Sequence, residues 1–265
     1  ALVASLAATR SGDAEPRRVI VETPPQSLTE QAAAPATVLY LNRCTGGCMI
    51  TSDGMNDAVH QHTSITPGGI YIISEFQNTT GQTGSAADAE WNAVVKCVEE
   101  VYSPYALTVT DQKPVDGVVY NEAIIAGLPG DVQEAQDILG IAPLANNCSA
   151  EQNVISFSFA NQHPAVNRVL NICWTASQES AHAYGLDHEF QFTDGSSACS
   201  DPMTYRTDCG GEKFFRNKRA QCGESKVRPC KCGSTQNSHS MLLDIFGAGI
   251  CAGATSGGAT WTTGT

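Results

Sequence analysis

Gln178-Glu179-Ser180-Ala181-His182-Ala183-Tyr184-Gly185-Leu186-Asp187-His188 is the stretch whose reading decides the fold. On an α-helix, residues four apart lie on one face, so Gln178 and His182 project side by side, about 40° apart around the axis. Two donors on one helical face can grip a metal ion. Glu179 beside them can then act as general base on a water that the metal activates. Gly185 permits positive φ, so the helix can end there and the chain can turn sharply. That turn directs His188 back towards the same point, and Tyr184 and Leu186 give the helix end its apolar flanks.

Downstream, Ser200-Asp201-Pro202-Met203-Thr204-Tyr205 forms a second informative stretch. Together the two resemble the metzincin clan of zinc endopeptidases, whose pattern is H-E-x-x-H-x-x-G-x-x-H followed by a Met-turn. Glu179, His182, Gly185 and His188 match that pattern, and Gln178 stands where the first histidine is expected. The resemblance covers about residues 37–250. It implies an α/β (α+β) catalytic domain with a twisted mixed sheet, a motif-bearing helix, a Met-turn and a C-terminal helix. It implies one catalytic Zn2+ held by Gln178, His182 and His188, with Glu179 as general base and Tyr205 able to donate to a tetrahedral oxyanion. Met203 would pack beneath the metal. The implied substrate is a protein or peptide that adds in extended form to the strand before the motif helix, here Val154, Ser156 and Ser158. That strand is placed by order of elements only.

Gln178 is the departure. Its amide oxygen suits hard cations better than zinc, which prefers imidazole, thiolate or carboxylate. Three readings follow. Gln178 is a weak third ligand, aided by Tyr205; or the chain is a catalytically dead pseudoprotease that keeps the fold as a binding protein; or the residue is an inactivating replacement.

Composition sets the bounds. The chain has 265 residues, 42% hydrophobic and 16% charged, which fits a globular protein with ample core. No apolar run approaches the roughly 20 residues of a membrane span. Eleven cysteines argue for disulfides and an oxidising, secreted or periplasmic setting, and the odd count leaves at least one outside an internal pair. Cys44 and Cys48 flank a flexible Thr-Gly-Gly spacer and are placed to pair locally. The net charge is −12, yet residues 206–232 hold eight Lys/Arg against three Asp/Glu. Without aromatic interleaving or a nucleic-acid motif, that segment reads as a disulfide-braced solvated loop and no nucleic-acid partner is expected. A monomer is expected.

Along the chain, residues 1–36 are rich in Ala, Pro, Glu and Arg and read as a poorly ordered leader, pro-segment or linker. Strands are expected at 37–41, 70–74, 105–110, 123–127 and 153–159. Apolar periodicity predicts helices over 86–102 and 238–246, and the motif helix over 169–184. His60 and His62 would share a face if extended, which admits a metal role, although solvated histidines are the ordinary case. Residues 251–265 form a Gly/Thr-rich tail.

Overall fold

A computed structural model describes residues 17–26, 36–206 and 209–249. Its strands are β1 (Arg17–Thr23), β2 (Val38–Asn42), β3 (Cys48–Ser52), β4 (His62–Thr63), β5 (Gly69–Ile73), β6 (Thr108–Thr110), β7 (Asn121–Ile125), β8 (Ile138–Ala145), β9 (Ile155–Ser158), β10 (Glu189–Phe192) and β11 (Ala220–Cys222). Its helices are α1 (Asp88–Tyr102), α2 (Arg168–His182) and α3 (Ser238–Phe246).

Six strands form a mixed sheet in the order β1-β8-β9-β7-β2-β6. All neighbours are parallel except β8 and β9. A smaller sheet, β4-β3-β5, and the pair β10-β11 complete the strands. The chain is thus mixed α/β with a mixed sheet, as expected.

Helix α1 follows from its period. Trp91, Val94, Val95, Val98 and Val101 recur at three- and four-residue steps and are all buried. Fully burying side chains of this kind stabilises by about 1.5–3 kcal/mol each. Helix α2 packs against α1 and across β7, β8 and β9. The Cys97–Cys173 disulfide joins the two helices, and the Tyr102 hydroxyl donates to the Ser177 carbonyl at 3.0 Å.

Two expectations fail here. Arg17–Thr23 is not a loose leader but a strand of the main sheet, because its Val19, Ile20 and Val21 run extends beside β8. The supposed edge strand is interior: Ser156 and Ser158 lie in β9, which is paired with β7 on one side and β8 on the other, and Val154 immediately precedes it. A strand hydrogen-bonded on both edges cannot take up a further strand. The leader residues before Arg17 and the tail 251–265 lie outside the described residues.

The described cysteines form five disulfides: Cys44–Cys48 as expected, Cys97–Cys173, Cys148–Cys232, Cys199–Cys209 and Cys222–Cys230. Cys251, the eleventh, lies outside the described residues. Among the described residues no helix is long and apolar enough to cross a membrane.

Candidate metal centre

Helix α2 is buried nearly all round, yet its last two turns carry Ser177, Gln178, Glu179, Ser180 and His182. A helix enclosed on every side is ordinarily apolar, because each buried polar group needs a partner. Here both polar atoms of Gln178 and both carboxylate oxygens of Glu179 are buried without a hydrogen-bond partner. Such groups are costly unless something else engages them.

The helix ends as the motif requires. Gly185 sits at φ +89°, its N–H donates to the His182 carbonyl, and the Leu186 N–H donates to the Ala181 carbonyl. That pair of bonds is a Schellman cap, with glycine at the left-handed position. A Cβ on Gly185 would meet the Cys148 carbonyl oxygen at 2.2 Å, so only glycine fits. The turn returns His188 to His182, with ring centroids 4.5 Å apart and planes at 82°.

The two rings meet through their Nε2 atoms at 3.0 Å. His182 Nδ1 lies 2.6 Å from the Leu186 carbonyl oxygen, which can only accept, so this nitrogen carries the hydrogen. His188 Nδ1 donates to Glu224 at 3.0 Å. Burial holds both imidazoles below their ordinary pKa and therefore neutral. Each Nε2 thus presents a lone pair to the other, an arrangement that calls for a cation or a shared proton between them.

Glu179 leans against the sheet. A Cβ on Gly140 of β8 would lie 2.5 Å from Glu179 Oε1, so the glycine leaves the space the carboxylate occupies. Burial pushes the Glu179 carboxyl well above its ordinary range, opposed in part by the charge of Arg18.

The Ser200–Tyr205 turn is tied to the site. Asp201 accepts from the Met203 N–H at 2.9 Å, from the Ser238 hydroxyl at 2.6 Å and from the Arg216 N–H at 2.7 Å. The Met203 carbonyl accepts from the N–H of Glu189, the residue after His188, at 2.8 Å. Met203 is fully buried, and the Tyr205 ring lies 4.7 Å from that of His188.

Several participants carried no sequence signal. Arg228 reaches both Asp187 and Glu224, and Asp187 accepts from the His188 N–H at 2.7 Å. An Arg–carboxylate network therefore holds His188 from behind. Glu224, held down by its bond to His188 and by Arg228, is the anion in that network. Both Glu224 and Arg228 fall in the segment read as a solvated basic loop. That reading fails in part, since Lys213 is buried with its ammonium 4.7 Å from the Trp174 ring centroid. The disulfide bracing expected of it is present. His60 and His62 do not converge: each Nδ1 is 2.7 Å from a different carboxylate, that of Asp57 and that of Asp53.

Compared with protein-family models, with curated proteins and with solved structures, the chain matches none.

Proposed function

We propose that this chain is a zinc-dependent endopeptidase of metzincin type, working in an oxidising compartment outside the cytoplasm. The observation that carries the reading is the facing Nε2 pair of His182 and His188, one helical turn from the partnerless amide of Gln178. Two imidazole nitrogens and an amide oxygen form a donor set that zinc accepts, with the amide as its weak member. His182 and His188 would hold the ion through Nε2 and Gln178 through Oε1. A zinc ion, when bound, supplies Lewis-acid polarisation of the scissile carbonyl and of water.

The chain's own residues supply the rest. Glu179, as the carboxylate, takes a proton from the attacking water and passes it to the leaving amine. Tyr205, against His188, donates to the oxyanion of the tetrahedral state. Glu224 fixes the tautomer of His188, so that Nε2 and not Nδ1 faces the centre. Met203 packs and takes no part in the chemistry. The five disulfides support the compartment.

The test is zinc uptake by chelator-treated protein, with cleavage of an unfolded protein assayed on the zinc-loaded chain. One equivalent of zinc, lost in His182→Ala, and cleavage lost in Glu179→Gln while zinc is retained, support the reading. The amide at 178 favours one rival, a binding protein that keeps the fold. Zinc uptake without cleavage selects that rival.

A further inference from the structure

Residues 206–232 hold eight Lys/Arg in a chain of net charge −12, and the fold sorts those cations. Lys213 is buried beside Trp174, Arg228 is taken by Asp187 and Glu224, and Lys231 pairs with Glu22. Arg216 and Lys218 instead line one cleft of about 450 Å3, which they share with Ser196, Ser197 and Ser200.

Two backbone ties build this cleft. The Phe214 N–H donates to the Ser200 carbonyl at 3.1 Å, and the Arg216 N–H donates to the buried carboxylate of Asp201 at 2.7 Å. Residues 214–216 are thereby laid against the start of the Ser200–Tyr205 turn. The half-buried Arg216 side chain is fixed as well, because its Nε donates to the Ser200 carbonyl at 3.2 Å. That leaves Nη1 and Nη2, the end of a guanidinium that grips a carboxylate with two parallel bonds. Among the described residues no carboxylate meets them. Lys218 supplies the second charge. Its ammonium lies 5.3 Å from the centroid of the Phe192 ring and 3.1 Å from Asp194 Oδ2. Both side chains of that ion pair are about half exposed, 51% and 54%, so the pair is worth little and an incoming carboxylate can replace Asp194.

We propose that this cleft is an anion site for acidic side chains of a peptide substrate, with Arg216 as the fixed clamp and Lys218 as the exchangeable second charge. That the peptide is a substrate rests on the hydrolase reading; the anion site itself does not. Strand β10 starts at the residue after His188 and ends at Phe192, which lines the cleft. The cleft therefore lies roughly 13 Å along the strand from His188, the length of about four extended residues. The acidity of the whole chain does not oppose this. At physiological salt charges are screened over about 8 Å, so a carboxylate in the cleft meets Arg216 and Lys218 rather than distant acids. The acids at hand are Asp194 and Asp201, and Asp201 is already engaged by Met203, Arg216 and Ser238. A nucleic acid fits less well. It is held by many cations along a groove and by open aromatic faces, whereas here two cations converge and Phe192 is buried under Lys218.

The experiment measures binding of labelled hexaglutamate to the full chain by fluorescence anisotropy. It then measures cleavage of two peptides that carry paired glutamates or paired glutamines about four residues to either side of the scissile bond. Saturable hexaglutamate binding is expected, weakened about tenfold in Lys218→Gln and at least as much in Arg216→Gln, as loss of one charge-assisted contact implies. Hexaglutamine should not bind. Arg219→Gln removes an exposed neighbouring charge outside the cleft and should leave binding nearly unchanged. No saturable binding, or an equal loss in Arg219→Gln, overturns the site. Lys218 is exposed, so its variant tests the cleft even if Arg216→Gln perturbs the turn. Tighter binding of a single-stranded oligonucleotide or a sulfated oligosaccharide of equal charge overturns a peptide as the occupant. A KM for the glutamate peptide that rises in Arg216→Gln at unchanged kcat supports the substrate role, and equal KM values for the two peptides overturn it. Hexaglutamate binding with cleavage of neither peptide supports the anion site and overturns the hydrolase reading.

Discussion

His182 and His188 face each other through Nε2 at 3.0 Å, each ring donating its own N–H on the far side, to the Leu186 carbonyl and to Glu224. Two neutral imidazoles at this separation repel unless a cation lies between them. Zinc at its usual distance from nitrogen, in tetrahedral geometry, would set the two nitrogens about 3.3 Å apart. The rings need move only slightly to accept it. Zinc at a hundred times its dissociation constant should therefore stabilise the fold by about 2.7 kcal/mol, and Tm should rise accordingly. His188→Ala should abolish the rise. A zinc-independent Tm in the parent protein contradicts the site.

Gln178 sits one turn before His182 with both amide atoms unpartnered. Replacing a weak amide donor by imidazole should tighten zinc binding in Gln178→His by about tenfold or more, worth about 1.4 kcal/mol. Competition against a chromophoric chelator measures it. Equal affinities would show that residue 178 does not reach the ion.

Glu224 is bonded to His188 and to Arg228. Glu224→Ala should lower zinc affinity by about 10–100-fold, as loss of an outer partner of a ligating histidine does. Glu224→Gln, which keeps an acceptor, should recover part of that loss. A histidine nitrogen NMR spectrum should show the His188 tautomer mixed in the alanine variant and single in the parent.

Gly185 combines φ +89° with a Cys148 carbonyl where a Cβ would fall. Gly185→Ala should cost about 2–4 kcal/mol, more than strain at a free left-handed position, because backbone rather than a side chain must give way. Chemical denaturation reads this directly. A cost under about 1 kcal/mol would mean that the turn relaxes freely.

Glu151 ties β1 to the domain, and burial pushes its carboxyl from 4.5 to about 7 against the lowering effect of the Thr23 hydroxyl. Between those two values the folded chain holds a proton that the unfolded chain releases. Its contribution is therefore complete below about pH 4.5 and is lost as the pH rises to about 7, on the order of 3 kcal/mol. Glu151→Gln should flatten this part of the stability profile, since the Thr23 hydroxyl can serve an amide as well as an acid. An unchanged slope from pH 5 to 7 counts against the assignment.

What could be read from the sequence was local. The period of Trp91, Val94, Val95, Val98 and Val101 sets α1, and the spacing of Gln178, His182 and Gly185 sets a helix that ends before His188. Both signals come from neighbours a turn apart, so they survive in one dimension. Strand β8 gave no such signal, because Gly140 and Pro143 interrupt its apolar run. Without β8, the strand at Ile155–Ser158 looked like an edge and Arg17–Thr23 looked like a leader. Glu224 and Arg228 were equally silent, 36 or more residues from His188 and embedded among other charges.

The sequence by itself determined which side chains the motif helix presents and where that helix must stop, since helical geometry and a left-handed glycine depend only on nearby residues. Tertiary structure alone decided that β1 pairs with β8, that Arg18 lies opposite Gly140, and that an Arg–carboxylate pair stands behind His188. Those contacts join residues far apart in the chain, and they exist only because burial in one fold makes a distant charge or strand edge the nearest available partner.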